Sequence, residues 1–164
     1  MRQILLMLVV TLFLPLAAAA QDHPKVEVFT GYSYLRGDLD ANFHGWEASA
    51  TGNLNKWFGV TADFSGHYVN GLNIHSFLFG PKFTYRGSGR VNPYFQTLFG
   101  GVHFGGFGSN TALGWASGGG IDVKVHKKVA IRVVDVTYLL IHDNGVNSSN
   151  GRVSTGVVWR FGDK

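Results

Sequence analysis

Ser65 and His67 stand two residues apart, and Glu47 precedes them in the chain. A hydroxyl, an imidazole and a carboxylate are the parts of a nucleophile, a base and an orienting group, so acyl transfer or hydrolysis is the chemistry to weigh. The signal is weak, because an i, i+2 pair shares one face of any strand whatever its role. The other reactive types are dispersed. His23, His44, His67, His75, His103, His126 and His142 occur singly and without zinc-ligand spacing, which reads as surface histidines rather than a metal site. Residues 100–108 are as glycine-rich as a phosphate loop, yet they lack the G-x-G-x-x-G order and no helical pattern follows. With no cysteine there is no thiol chemistry and no disulfide framework. No metal or cofactor is expected, and no catalytic residue is assigned.

More informative is the face on which Ser65 and His67 fall. In Val60–Tyr68 the even positions read Val, Ala, Phe, Gly, Tyr and the odd ones Thr, Asp, Ser, His. This period of two marks a strand with one apolar and one polar face. It recurs from Lys25 to Phe161 with no helical segment to cover the apolar faces. A sheet of that kind is stable when its apolar side meets lipid and its polar side lines a lumen.

The start of the chain fits an exported protein. Met1-Arg2-Gln3 is a short basic opening, residues 4–14 are apolar, Pro15 ends the run, and Ala18-Ala19-Ala20 offers a cleavage site before Gln21. The apolar run is shorter than the ~20 residues of a spanning helix. The expected organisation is a signal peptide over 1–20, a short periplasmic segment over 21–24, a barrel over 25–161 and a tail over 162–164. Roughly 140 mature residues suit one domain. With 23 Gly against 4 Pro, the composition disfavours both helices and a low-complexity linker. The net charge of +4 is scattered along the chain, so nucleic acid is not an expected partner.

Eight strands are predicted, the fewest known for bacterial barrels of this kind. Phe77, Phe79, Phe83 and Tyr85 oppose Ser76, Gly80, Lys82, Thr84 and Arg86 in the fourth, and Val153, Val157, Trp159 and Phe161 oppose Arg152, Ser154 and Arg160 in the eighth. The fifth strand is ambiguous, with Gln96 placed inward and Phe95 and Phe99 outward. In the seventh, Asp135 falls on the apolar parity, and a bulge near Val134 would turn it inward. Loops are expected over 37–42, 69–73, 104–111 and 143–150, with shorter turns at the other end. That asymmetry would put both termini on the periplasmic side.

On these segments the chain resembles the small OmpA-like outer-membrane β-barrels. The residues that carry the likeness are Val26-Glu27-Val28-Phe29-Thr30-Gly31-Tyr32-Ser33-Tyr34, Phe77-Leu78-Phe79-Gly80-Pro81-Lys82-Phe83, and Gly156-Val157-Val158-Trp159-Arg160-Phe161-Gly162. The last is similar to a C-terminal insertion signal, with Phe161 as its aromatic, although Gly162-Asp163-Lys164 follow it. The resemblance implies a closed, all-β, eight-stranded antiparallel up-and-down transmembrane barrel of the outer membrane. It implies outer-membrane lipids and lipopolysaccharide as surroundings, and barrel-assembly machinery and periplasmic chaperones as partners during biogenesis. Some eight-stranded barrels are lipid A hydrolases or acyltransferases, but Ser65 and His67 lie on the inward parity, away from such a substrate.

The inward parity carries an expected polar network of Glu27, Glu47, Asp63, His67, Lys82, Arg86, Gln96, Asp122, Lys124 and Arg132. Counting back from the turns pairs Asp122 with Arg132, Asp63 with Lys82, and Glu47 with His67. The expected interfacial girdles are Tyr34, Trp46, Tyr68 and Trp115 at one end, and Trp57, Tyr85 and Trp159 at the other. Three functions remain open: a non-enzymatic, plugged envelope barrel acting structurally or through its loops; a narrow channel for ions or small solutes; and a soluble, lipocalin-like carrier, which would bury the aromatic parity instead.

Overall fold

The computed structural model describes residues 23–37, 42–69, 71–105, 110–143 and 145–162. The expected signal peptide, residues 21–22, Asp163 and Lys164 lie outside the described residues, as do positions 38–41, 70, 106–109 and 144 of the four expected loops.

The described chain folds into eight antiparallel strands: β1 (Val26–Arg36), β2 (Asn42–Asn53), β3 (Phe58–Val69), β4 (Leu72–Thr84), β5 (Val91–Gly105), β6 (Asn110–His126), β7 (Val129–Asp143) and β8 (Val146–Phe161). Each pairs with its sequence neighbours, and β1 closes on β8 from Val26↔Phe161 to Arg36↔Gly151. Closure leaves no strand edge unpaired, which a lipid environment requires because it offers the backbone no alternative hydrogen bonds. The start of β1 and the end of β8 meet at one end of the barrel, called here the lower end.

Alternation decides what faces each way. Phe77, Phe79 and Phe99 point outward, 56–58% exposed, while Leu78 and Leu98 between them are fully buried. Gln96 is inward and Phe95 and Phe99 outward on β5. A soluble, lipocalin-like barrel needs the rings inside, so that reading is withdrawn. The register between β7 and β8 shifts between Arg132 and Asp135, which buries both. This is the bulge near Val134, where one extra residue resets the parity.

The upper connections differ from expectation. Asn73 pairs with Tyr68 and Gly105, Phe104 with Asn110, and residues 139–143 of β7 with 146–150 of β8. Among the described residues, 69, 72–73, 104–105, 110–111, 143 and 146–150 are therefore strand, and the six-residue connection 85–90 is at the lower end. Loop length thus gives no orientation. These segments are polar because a strand that clears the apolar belt has water outside it, not because it is unpaired. Gly71 and Gly145, each with φ of 84°, sit in Asn-Gly dipeptides at two tips, the sequence that a tight hairpin prefers.

Candidate functional site: the lumen

The lumen is filled in three layers. At the lower mouth Glu27 on β1 accepts a hydrogen bond from Arg86 Nη2 at 2.7 Å and stands 3.4 Å from Arg160 Nε. Asn53 Nδ2 donates to the same Glu27 oxygen, and Arg86 Nη1 donates to the Lys56 carbonyl at 2.8 Å. The strand ends and the 85–90 connection are thereby drawn together beneath the barrel.

The middle layer holds two ion-pair groups. In the first, Arg132 Nε donates to Asp122 Oδ1 at 2.9 Å, and its Cζ lies 4.1 Å from the Phe29 ring centre and 4.5 Å from that of Tyr94. Lys82 Nζ stands 4.1 Å from the same Tyr94 ring, whose hydroxyl donates to Asp135. Inward aromatics here serve cations, since a ring face attracts positive charge most strongly where water is excluded. In the second group Arg152 Nη1 donates to Asp63 Oδ1 at 2.9 Å, and its Nε lies 3.4 Å from Glu47 Oε2. Ser154 donates to Glu47 at 2.5 Å, its Oγ lies 3.0 Å from Ser33 Oγ, and Ser33 Oγ meets His67 Nε2 at 2.9 Å.

Above these groups the inward positions turn apolar. Leu35, Phe43, Ile74, Leu78, Leu98, Val102, Ala112, Ala116, Leu139 and Ile141 form one packed cluster. An apolar upper lumen departs from the expected polar interior, and its side chains give ions no polar contact.

Each predicted network residue can now be placed. Glu27, Glu47, Asp63, His67, Lys82, Arg86, Gln96, Asp122 and Arg132 are buried inside. Lys124 is not: it is only half-buried at the lower end, beside a second register shift between Lys124 and His126. Of the proposed pairs, Asp122–Arg132 forms. Asp63 instead meets Arg152, and Lys82 lies opposite Gln96 and over Tyr94. Glu47 meets Ser154 and Arg152 rather than His67. Ser65 bonds Ser76 at 2.6 Å, so Ser65, His67 and Glu47 make no catalytic chain. Arg152, Arg160, Asp135 and Tyr94 are essential to the arrangement but absent from the predicted network. For the arginines the signal was present, as both lie on the inward parity.

The buried ionisable set is balanced. Glu27, Glu47, Asp63, Asp122 and Asp135 face Lys82, Arg86, Arg132, Arg152 and Arg160, five formal charges of each sign among the described residues. Charges withdrawn from water are tolerated when paired and hydrogen-bonded in this way.

Outside, Trp46 Nε1 donates to Tyr68 Oη at 3.4 Å, Trp115 Nε1 to Thr97 Oγ1 at 2.9 Å, and Tyr34 Oη to Asn42 at 2.5 Å. At the lower end Trp57 stacks on Phe83 with ring centres 6.3 Å apart, while Tyr85, Trp159 and Phe161 are exposed. Among the described residues no group of three or more His, Asp or Glu side chains is placed to hold a metal.

A family model for the outer membrane protein β-barrel domain matches residues 4–161. Neisserial surface protein A is similar in fold, with a TM-score of 0.66 at 15% identity over 83% of this chain and 96% of that one. OprG from Pseudomonas aeruginosa gives 0.59 at 11% identity over 86% and 97%. Ail, the attachment invasion locus protein of Yersinia pestis, gives 0.50 at 17% over 85% and 99%. No curated relative matches the chain.

Proposed function

The chain belongs to the outer membrane protein β-barrel domain family, and on that premise we propose that it is a non-enzymatic barrel with a sealed lumen, acting in the envelope through its wall and its upper rim. The observation that carries this reading is the packing of the interior. The lower mouth and the middle layer together carry five formal charges of each sign, which leaves no net excess to select an ion, and an apolar cluster caps them. An eight-stranded barrel is narrow enough for side chains to fill. At the rim, β3 pairs with β4 up to Val69↔Leu72 and β7 with β8 up to Asp143↔Val146. Polar Asn147, Ser148 and Ser149 lie near the tip of β7–β8, and Asn110 on β6 donates to Asp143 on β7. A barrel of similar fold in Yersinia pestis is named for attachment, which supports a contact role for such a rim.

The reading includes export by a cleaved signal peptide, termini on the periplasmic side and Phe161 as the insertion signal. Planar-bilayer recording of the refolded chain tests the seal. No openings are expected; reproducible ion-selective openings that vanish in Asp63→Ala or Lys82→Ala would establish a channel instead.

A further inference from the structure

The outer wall is interrupted near its upper end by a recess of about 400 Å³, bordered by Trp46, Phe64, His75, Phe77, Gly101 and His103. A glycine opens it. Gly101 lies between Phe77 and Leu113 in register, and a Cβ added there would meet only Thr111 Cγ2, at 3.8 Å. The lower part is aromatic, with the Phe64 and Phe77 ring centres 4.8 Å apart.

The upper lip is different. His75 and His103 are directly opposed on β4 and β5, an arrangement that sets Cβ atoms about 5 Å apart. His103 Nδ1 is held by Thr111 Oγ1 at 3.0 Å, and His75 packs edge-on against Tyr68 with ring centres 5.5 Å apart. Fixing Nδ1 of His103 leaves Nε2 as the free polar atom of that ring. No carboxylate borders the recess, so an anion approaching the imidazoles meets no like charge there.

A bare anion makes no use of the aromatic floor, and a bare hydrocarbon makes none of the paired imidazoles. One molecule that uses both is an acyl lipid with a phosphate headgroup. We propose that this recess binds a single phosphorylated acyl lipid, its chain against Phe64, Phe77 and Gly101 and its phosphate oxygens accepting hydrogen bonds from His75 and His103. The proposal rests on the membrane-embedded reading above and adds a specific lipid contact to the wall.

Trp46 borders the recess and reports on it. In the full chain carrying Trp57→Phe, Trp115→Phe and Trp159→Phe, folded into phosphatidylcholine vesicles, Trp46 fluorescence is titrated with dibrominated phosphatidic acid or dibrominated phosphatidylcholine. Half-quenching is expected at a several-fold lower mole fraction of the phosphatidic acid. His75→Ala with His103→Ala should bring its curve onto that of phosphatidylcholine, and Gly101→Leu should do the same by filling the floor. Heat-modifiable migration confirms that each variant is folded, and His103→Gln provides a milder second variant. Equal quenching by both lipids in the parent would overturn the site, as would loss of the preference on adding millimolar inorganic phosphate. Failure of both lipids to quench Trp46 would instead overturn the membrane-embedded reading itself, and the site with it.

Discussion

Asp63 on β3 and Arg152 on β8 form a hydrogen-bonded ion pair at 2.9 Å across the lumen, although β1 and β2 stand between their strands in the wall. The contact braces the barrel through its centre, where neither side chain meets water. Removing one partner strands the other charge in a dry interior.

Asp63→Ala or Arg152→Ala is therefore expected to lower unfolding stability by about 3–5 kcal/mol, the usual cost of breaking a buried pair. The double replacement Asp63→Leu with Arg152→Leu should recover part of that loss, because the two facing charges leave together, while Glu47 gives up its contact with Arg152 and keeps its hydrogen bond from Ser154. Urea unfolding in detergent micelles measures both. Additive losses in the double variant would show that the two residues act independently.

Lipid facing gives a depth-dependent expectation. Phe79→Lys, in the middle of the outer wall, should cost about 2–4 kcal/mol, whereas Tyr85→Lys at the lower girdle should cost about 0–1 kcal/mol. Guanidinium titration in vesicles reads the difference. Equal costs at the two positions would mean that the outer face has no apolar belt between its girdles.

The apolar cap is tested by Leu78→Ala and Leu98→Ala. Both side chains are fully buried, so each truncation is expected to cost about 2–5 kcal/mol. The same variants recorded in planar bilayers should stay closed, because the ion-paired layer below remains in place. Conductance appearing on truncation of Leu78 alone would make the apolar cluster the sole seal.

Much of this architecture was legible in the residues. A strand between lipid and a polar interior must alternate, so segments such as Val60–Tyr68 declared both their faces. Asp122 and Arg132 were paired correctly because a tight hairpin joins their strands and the partners can be counted back from it. Asp63–Arg152 was not, since a contact across the lumen depends on how the closed sheet is staggered, which no local spacing records. The apolar cap stayed hidden for another reason. Around Leu78 and Leu98 both faces are apolar, Phe77 and Phe79 outside and leucine inside, so alternation in polarity disappears there. The upper hairpins read as loops because their outer faces meet water; the Asn-Gly pairs at Gly71 and Gly145 were the signal of tight turns.

The account depends on which of two adjacent residues touches lipid, and the absence of cysteine makes the comparison clean. Nitroxide labels are attached to Phe79→Cys and, separately, to Leu78→Cys in the barrel folded into vesicles. The label at 79 is expected to collide with oxygen dissolved in the bilayer and to be hidden from an aqueous nickel chelate, while that at 78 is immobilised and shielded from both. A label at 79 open to the aqueous reagent, or one at 78 that meets lipid oxygen as readily as its neighbour, would contradict the orientation of the whole barrel.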